Sequence, residues 1–259
     1  MDLVEAGTRS FETGVRHPWE RARLALVHRL IADNVTLRPG DAVLDVGCGD
    51  TFVVEQLAAL YPSVEFYAVD SAFTDGLLQT YRARLSVPNV SLFQSLDAVP
   101  LAKPASVVLL MDVIEHVPDD VGFLRDLCAR SSVNDETRIL ITVPSYSALF
   151  SGHDRFLRHY RRYSRRRLRH LLEAVRLRPI ASGYLFASLL PARVLQVLRE
   201  RIVGSNDSPS HLATWRGGES AARAIAAVLI MDGRLALSLA RVGIRIPGLS
   251  NFAVCRKSA

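Results

Sequence analysis

Short apolar segments recur along this 259-residue chain, and stretches with helical periodicity separate most of them. Residues 42–46, 64–69, 90–93, 106–111 and 138–143 read as strands, and 51–60, 74–85 and 118–130 read as helices between them. Strands that are apolar throughout must be covered on both faces, and helical crossovers leave consecutive strands parallel. The pattern therefore predicts an α/β fold built on a doubly wound, mostly parallel sheet. In such a sheet, ligands sit at the carboxyl ends of the strands.

The flanks extend this core. Leu24, Val27, Leu30 and Ile31 share one helical face over 19–34. Ser164 is an N-cap for a helix over 165–175, whose Leu168, Leu171, Leu172 and Val175 form one apolar stripe. Strands at 180–187 and 252–255 bring the sheet to seven. Between them lie a helix over 191–203, a polar GSNDSPS loop and an Ala-rich helical stretch over 219–242. The expected organisation is one domain over 1–259, with a helical cap at 1–36 and a helical insertion at 188–247.

A hydrophobic fraction of 49% is enough to bury one large core. Cys48, Cys128 and Cys255 have neither disulfide-framework nor zinc-ligand spacing, which points to a reducing, cytoplasmic setting. The start MDLVEAGTRSFETG lacks the basic residues and apolar run of a signal peptide. The longest clean apolar run, 224–231, is far short of the ~20 residues that cross a bilayer. The net charge of +6 is unevenly spread. From Arg155 to Arg178, ten arginines face a single acid, Glu173. Such a run is either a solvated face or a contact for a phosphate- or carboxylate-bearing partner.

The stretch VLDVGCGDT, residues 43–51, carries the strongest chemical signal. Gly47 and Gly49 match the first two positions of a GxGxxG dinucleotide fingerprint, but the third is Phe52, so a pyrophosphate-gripping turn is excluded. No GK[ST] follows, which excludes a P-loop. What remains is a ligand that lies flat against the turn.

DVGCGD, followed by an acid at the end of the next strand (YAVD, Asp70), resembles the class I S-adenosylmethionine-dependent methyltransferases. The likeness continues through SLDAVP (95–100), MDVIEHVPDD (111–120) and TVPS (142–145), and covers roughly residues 17 to 190. The resemblance implies S-adenosylmethionine as cofactor. It places Gly47, Cys48 and Gly49 against the methionine part, with Asp45 meeting the ammonium directly or through water. Asp70 and its neighbour Ser71 would hold the ribose; Ser95 and Leu96 would border the adenine, with Met111 on its other side. Two positions depart from the family pattern: Thr51 stands where a glycine is usual, and Ser95 where an acid is frequent.

Methyl transfer from an activated sulfonium needs positioning and, for some acceptors, a base. Candidate bases are His116 after the fourth strand, and His153 and His159 after the fifth. Asp112, Glu115, His116 and His159 also resemble the magnesium site of ubiquinone-pathway O-methyltransferases and small-RNA 2′-O-methyltransferases. Those ligand types suit a hard or borderline divalent ion. A histidine base without metal is the preferred reading, and Mg2+ the alternative. The segments HPWERAR (17–23), HDRFLRHYRRYSRRRL (153–168) and GLSNFAVCRK (248–257) resemble a bacterial group with few assigned substrates, in which the N-terminal helix bearing Trp19, Arg21 and Arg23 would lie over the cofactor.

The leading expectation is O-methylation of a small, anionic metabolite or biosynthetic intermediate. Methylation of RNA is an alternative within enzymes, but no aromatic stacking surface or separate RNA module supports nucleic-acid binding. The arginines among the apolar residues of the insertion fit either a homodimer interface, which is preferred, or peripheral contact with anionic lipid. A lipid-linked acceptor would join the latter to methyl transfer.

Overall fold

The computed structural model describes residues 15–204, 215 and 217–258. Residues 1–14 of the predicted cap and 205–214, which hold most of the GSNDSPS loop, lie outside the described residues.

The chain opens with α1 (Pro18–Asn34), whose His17 side chain accepts a hydrogen bond from the Trp19 amide while Pro18 occupies the first turn. Strand β1 (Ala42–Val46) is buried along its whole length. It is followed by α2 (Phe52–Leu60), β2 (Glu65–Val69), α3 (Asp75–Arg84), β3 (Val90–Phe93) and β4 (Val107–Met111). Next come α4 (Asp120–Ala129), β5 (Arg138–Pro144), a single turn α5 (Gly152–Phe156), α6 (Arg165–Ala174) and β6 (Leu177–Leu185). The insertion supplies α7 (Leu190–Val203) and α8 (Glu219–Arg241), and β7 (Ser250–Lys257) closes the sheet.

The seven strands lie in the order β3-β2-β1-β4-β5-β7-β6. The first five are parallel, and β7 runs antiparallel between β5 and β6. The predicted mostly parallel, doubly wound sheet is present. Its order reverses between β1 and β4, so the crevice for a ligand opens where those two strands end. One face packs Leu26, Leu30, Leu57 and Phe66; the other packs Leu124, Ile141, Leu168 and Leu172.

Several differences from expectation have a local physical reason. Helix α2 starts at Phe52 because Thr51 holds a left-handed φ of 64°. Strand β6 begins at Leu177 because its ladder with β7 reaches Leu177↔Lys257, and it ends before Phe186, which turns at φ 62°. The five-residue α5 is too short for apolar periodicity to reveal; a capping box between Ser151 and Asp154 holds it. Helix α8 packs on α1, with Leu26 seated against the bare backbone of Gly233. Among the described residues, no helix is long and apolar enough to cross a membrane.

Candidate active site

A cavity of about 1330 Å³ opens at the carboxyl ends of β1, β2, β4 and β5. Its floor is the turn after β1. Gly47 there has φ 75°, and a Cβ on it would lie 2.6 Å from Val113 Cγ2, so both conformation and space require glycine. The carboxylate of Asp70 closes the turn by accepting hydrogen bonds from the amides of Gly49 (2.8 Å) and Ala72 (2.9 Å). Ser71, Ser95, Leu96 and Met111 continue this wall. Cys48 is also on it, buried, its thiol pushed well up by burial and by the nearby Asp45 and Asp70 charges.

Asp45 stands apart. It is fully buried beneath the turn, off the cavity wall, and neither carboxylate oxygen has a hydrogen-bond partner. Burial raises its pKa to about 7, against the opposing charge of Arg23. An orphaned carboxylate under the glycine turn is the group that a cationic amino-acid end of a ligand, or a bridging water, would satisfy.

The opposite wall is charged and tightly bonded. Asp154 is fully buried and accepts from Arg162 Nε (2.7 Å) and Arg193 Nη2 (2.7 Å), while its Oδ1 lies 2.9 Å from His159 Nδ1. Burial alone would raise the Asp154 pKa; the His159 hydrogen bond and the Arg162 and Arg193 charges outweigh it and hold the carboxyl well below its usual range. An ionised carboxylate only accepts, so His159 carries its proton on Nδ1 and offers Nε2 as the basic nitrogen. The rings of His159 and His116 meet edge to face at 4.5 Å. Glu115 is buried beside them with both oxygens unpartnered, and burial together with the Asp112 charge pushes its pKa well up.

Helix α1 roofs the cavity. Arg23 donates to the Met111 carbonyl (2.6 Å), pairs with Asp112 (3.0 Å), and stacks 5.1 Å from the Trp19 ring. Trp19 lines the cavity and also packs 6.1 Å from Phe186. Arg21 turns away to pair with Glu219 at 2.7 Å. Asp112 and Arg158, both on the wall, hold left-handed φ angles of 56° and 57°. Such strain in non-glycine residues costs about 1–3 kcal/mol each and collects at functional sites.

A family model described as a methyltransferase domain matches residues 16–181 of the chain. The chain belongs to this family. Its residues 16–181 form a methyltransferase domain. Over 112 residues it is 24% identical to the malonyl-[acyl-carrier protein] O-methyltransferase of Bacillus anthracis, a match covering 43% of this chain and 39% of that one. The chain thus spans about two-fifths of the curated relative it matches. The plantazolicin methyltransferase BpumL, solved with S-adenosylhomocysteine, shares the fold at a TM-score of 0.55 and 14% identity, covering 93% of this chain and 85% of that one. Coclaurine N-methyltransferase, solved with N-methylheliamine and S-adenosylhomocysteine, aligns at 0.54 and 12% identity, covering 90% and 70%.

Of the twelve residues expected to hold the cofactor or act as the base, eleven line the one cavity: Gly47, Cys48, Gly49, Asp70, Ser71, Ser95, Leu96, Met111, His116, His153 and His159. Asp45 is the exception. His153 is mostly enclosed, and burial, then the Arg193 charge, lower its pKa to about 4, which makes it a weak base. Glu115, His116 and His159 each place one ligand atom within 4.8 Å of the others, so that trio fits a divalent cation. Asp112 fits less well, since Arg23 and Thr142 occupy its two oxygens.

The arginine run divides between core and surface. Arg162 goes inward to Asp154 and Arg158 reaches the cavity rim, while Arg161 pairs with Asp120 and Arg169 with Glu173. Arg193, expected with the other arginines of the insertion to face a partner or lipid, is instead buried and paired with Asp154. Its signal is a lone arginine in the apolar run LLPARVLQVL, one turn before the buried Val197, where only a buried partner would tolerate it.

Proposed function

We propose that this methyltransferase transfers a methyl group to an oxygen of a small acceptor carrying a carboxylate or phosphate. The observation behind this reading is His159, whose Nδ1 is held 2.9 Å from the buried Asp154 carboxylate, leaving Nε2 to take a proton at the cavity wall. A neutral amine already has a lone pair to attack with. A hydroxyl is a poor nucleophile until its proton leaves, so a fixed base favours oxygen.

The bound cofactor supplies the methyl group on a sulfonium, and the chain's residues prepare its surroundings. Gly47 and Gly49 keep the backbone bare against the methionine part, Asp70 accepts the ribose hydroxyls, and Met111 and Leu96 border the adenine. Trp19 and Arg23 on α1 exclude water from above. Arg158, at the rim with no carboxylate in ion-pair distance among the described residues, attracts an anionic acceptor. His159 Nε2 accepts the acceptor's hydroxyl proton, and the imidazolium so formed is balanced by Asp154.

The test is transfer of radiolabelled methyl from S-adenosylmethionine to matched pairs of hydroxylated and amino acids or phosphates. Labelling of the hydroxyl members, lost in His159→Ala, supports the reading. Equal labelling of amines by wild type and His159→Ala rejects it.

A second reading is favoured by the Glu115–His116–His159 trio: a divalent cation held there would bind the acceptor oxygen and lower its pKa. Activity that EDTA abolishes and Mg2+, Mn2+ or Zn2+ restores would establish this route over a free histidine base.

A further inference from the structure

We propose that the outward faces of α7 and α8 dock on the surface of an anionic lipid bilayer. The proposal stands independently of the methyl acceptor.

Both helices bury one face against the body and expose a second apolar one. On α7 the exposed face is Val194, Leu195, Leu198 and Ile202, with Leu195 69% exposed. On α8 it is Val228, Met231 and Leu235, continued by Val242 just past the helix, with Met231 70% exposed. A row of exposed apolar side chains on each helix is the kind of surface that marks a contact site. Arginines border it. Arg223, Arg234 and Arg241 are eleven and then seven residues apart, which at 3.6 residues per turn keeps them on one line of α8. Arg199 and Arg201 flank the α7 row on its two sides.

The acids of these two helices are all engaged within the protein. Glu200 accepts from the Gly152 amide and Gln196, Glu219 pairs with Arg21 and Arg223, and Asp232 accepts from the amide and hydroxyl of Ser188. Arg223 pairs with Glu219 and Arg241 with Asp33, whereas Arg199 and Arg234 have no acid within ion-pair distance among the described residues. The face is therefore apolar at its centre and cationic at its edges, the chemistry that lies on anionic headgroups with the arginine stems reaching up to phosphate. It lies on the bilayer and does not span it, since neither helix is long and apolar enough to cross.

A second copy of the chain is the competing occupant. A twofold interface sets a patch against itself, which would bring the uncompensated Arg199 and Arg234 toward their own counterparts with no spare acid on these helices to balance them. Charge complementarity favours lipid. Docking would also place the cavity near the bilayer, because Ile225 belongs both to the cavity wall and to the exposed side of α8.

The full chain is sedimented with vesicles of phosphatidylcholine alone and with vesicles in which phosphatidylglycerol replaces about a third of it. The expected result is co-sedimentation with the anionic vesicles alone, released by high salt. Arg199→Gln with Arg234→Gln, and separately Leu195→Ser with Leu235→Ser, should each weaken partitioning about tenfold. None of these four residues lines the cavity, so cofactor affinity by calorimetry should stay unchanged and certify the variants as folded. The proposal is overturned by a chain that stays in the supernatant with both vesicles, or that binds both equally. It is also overturned by a dimer, seen in light scattering, that Leu195→Ser with Leu235→Ser dissociates.

Discussion

Nδ1 of His159 lies 2.9 Å from Oδ1 of Asp154, and the same carboxylate binds Arg162 and Arg193 at 2.7 Å each. One buried acid thus orients the His159 imidazole and neutralises two buried cations. These two duties separate by mutation. His159→Ala should lower the turnover number by about 100-fold or more, with cofactor affinity nearly unchanged and stability lower by only about 1 kcal/mol. Asp154→Asn should also lower stability, by about 3 kcal/mol, because it leaves two arginines uncompensated in the interior. Steady-state kinetics and urea denaturation on both variants check this. A His159→Ala enzyme of wild-type turnover would remove it as the base.

Asp70 and Gly47 should govern cofactor affinity in different ways. Asp70→Ala removes a carboxylate that lines the cavity and closes the turn through the Gly49 amide, so calorimetry should find S-adenosylmethionine bound at least tenfold more weakly, ~1.4 kcal/mol. Gly47→Ala puts a methyl at φ 75° and against Val113, so it should weaken binding and also destabilise the apo chain by about 1–3 kcal/mol. Wild-type affinity in Asp70→Ala would show that the cofactor sits elsewhere.

The buried Asp45 should impose a pH dependence on stability. Its carboxyl ionises near pH 4 when unfolded but near pH 7 when folded. Between those values the folded state holds the extra proton, so stability falls as pH rises through the window. His153 acts oppositely: with its folded pKa lowered to about 4, stability is lost as pH falls from about 6.5 toward 4. Because the two slopes overlap, wild type and Asp45→Asn must be compared at each pH. The substitution should be more favourable at pH 8 than at pH 5 by about 3 kcal/mol. Equal differences at both pH values would mean that Asp45 is ionised throughout.

Thr51 offers a stabilising change. It holds φ 64° at the start of α2, where a β-branched residue is strained, and its hydroxyl donates to Glu55 at 2.5 Å. Relief of strain and loss of that hydrogen bond oppose each other. Strain is the larger, about 1–2 kcal/mol against about 1. Thr51→Gly should therefore raise the melting temperature by a few degrees, and a fall in the melting temperature would reverse the ranking.

What the sequence determined by itself was the local pattern. Apolar runs without alternation require burial on both faces, so β1, β4 and β5 and a parallel sheet could be read directly, as could Ser164, whose side chain accepts from the Arg167 amide. The bare GCG turn and Asp70 at the next strand tip were legible because each depends on residues within one crossover. Only the tertiary structure decided the rest. Asp154 and Arg193 are 39 residues apart, and Arg23 reaches the Met111 carbonyl across 88. Periodicity reports which face of an element is buried, but it does not report which distant side chains meet there. That is settled where β1 and β4 diverge and the loops, α1 and the insertion converge on one crevice, whose low dielectric makes every buried charge find a partner or give up its ionisation. Arg162 and Arg193 found Asp154; Asp45 and Glu115, with no partner in reach, were left with raised pKa values.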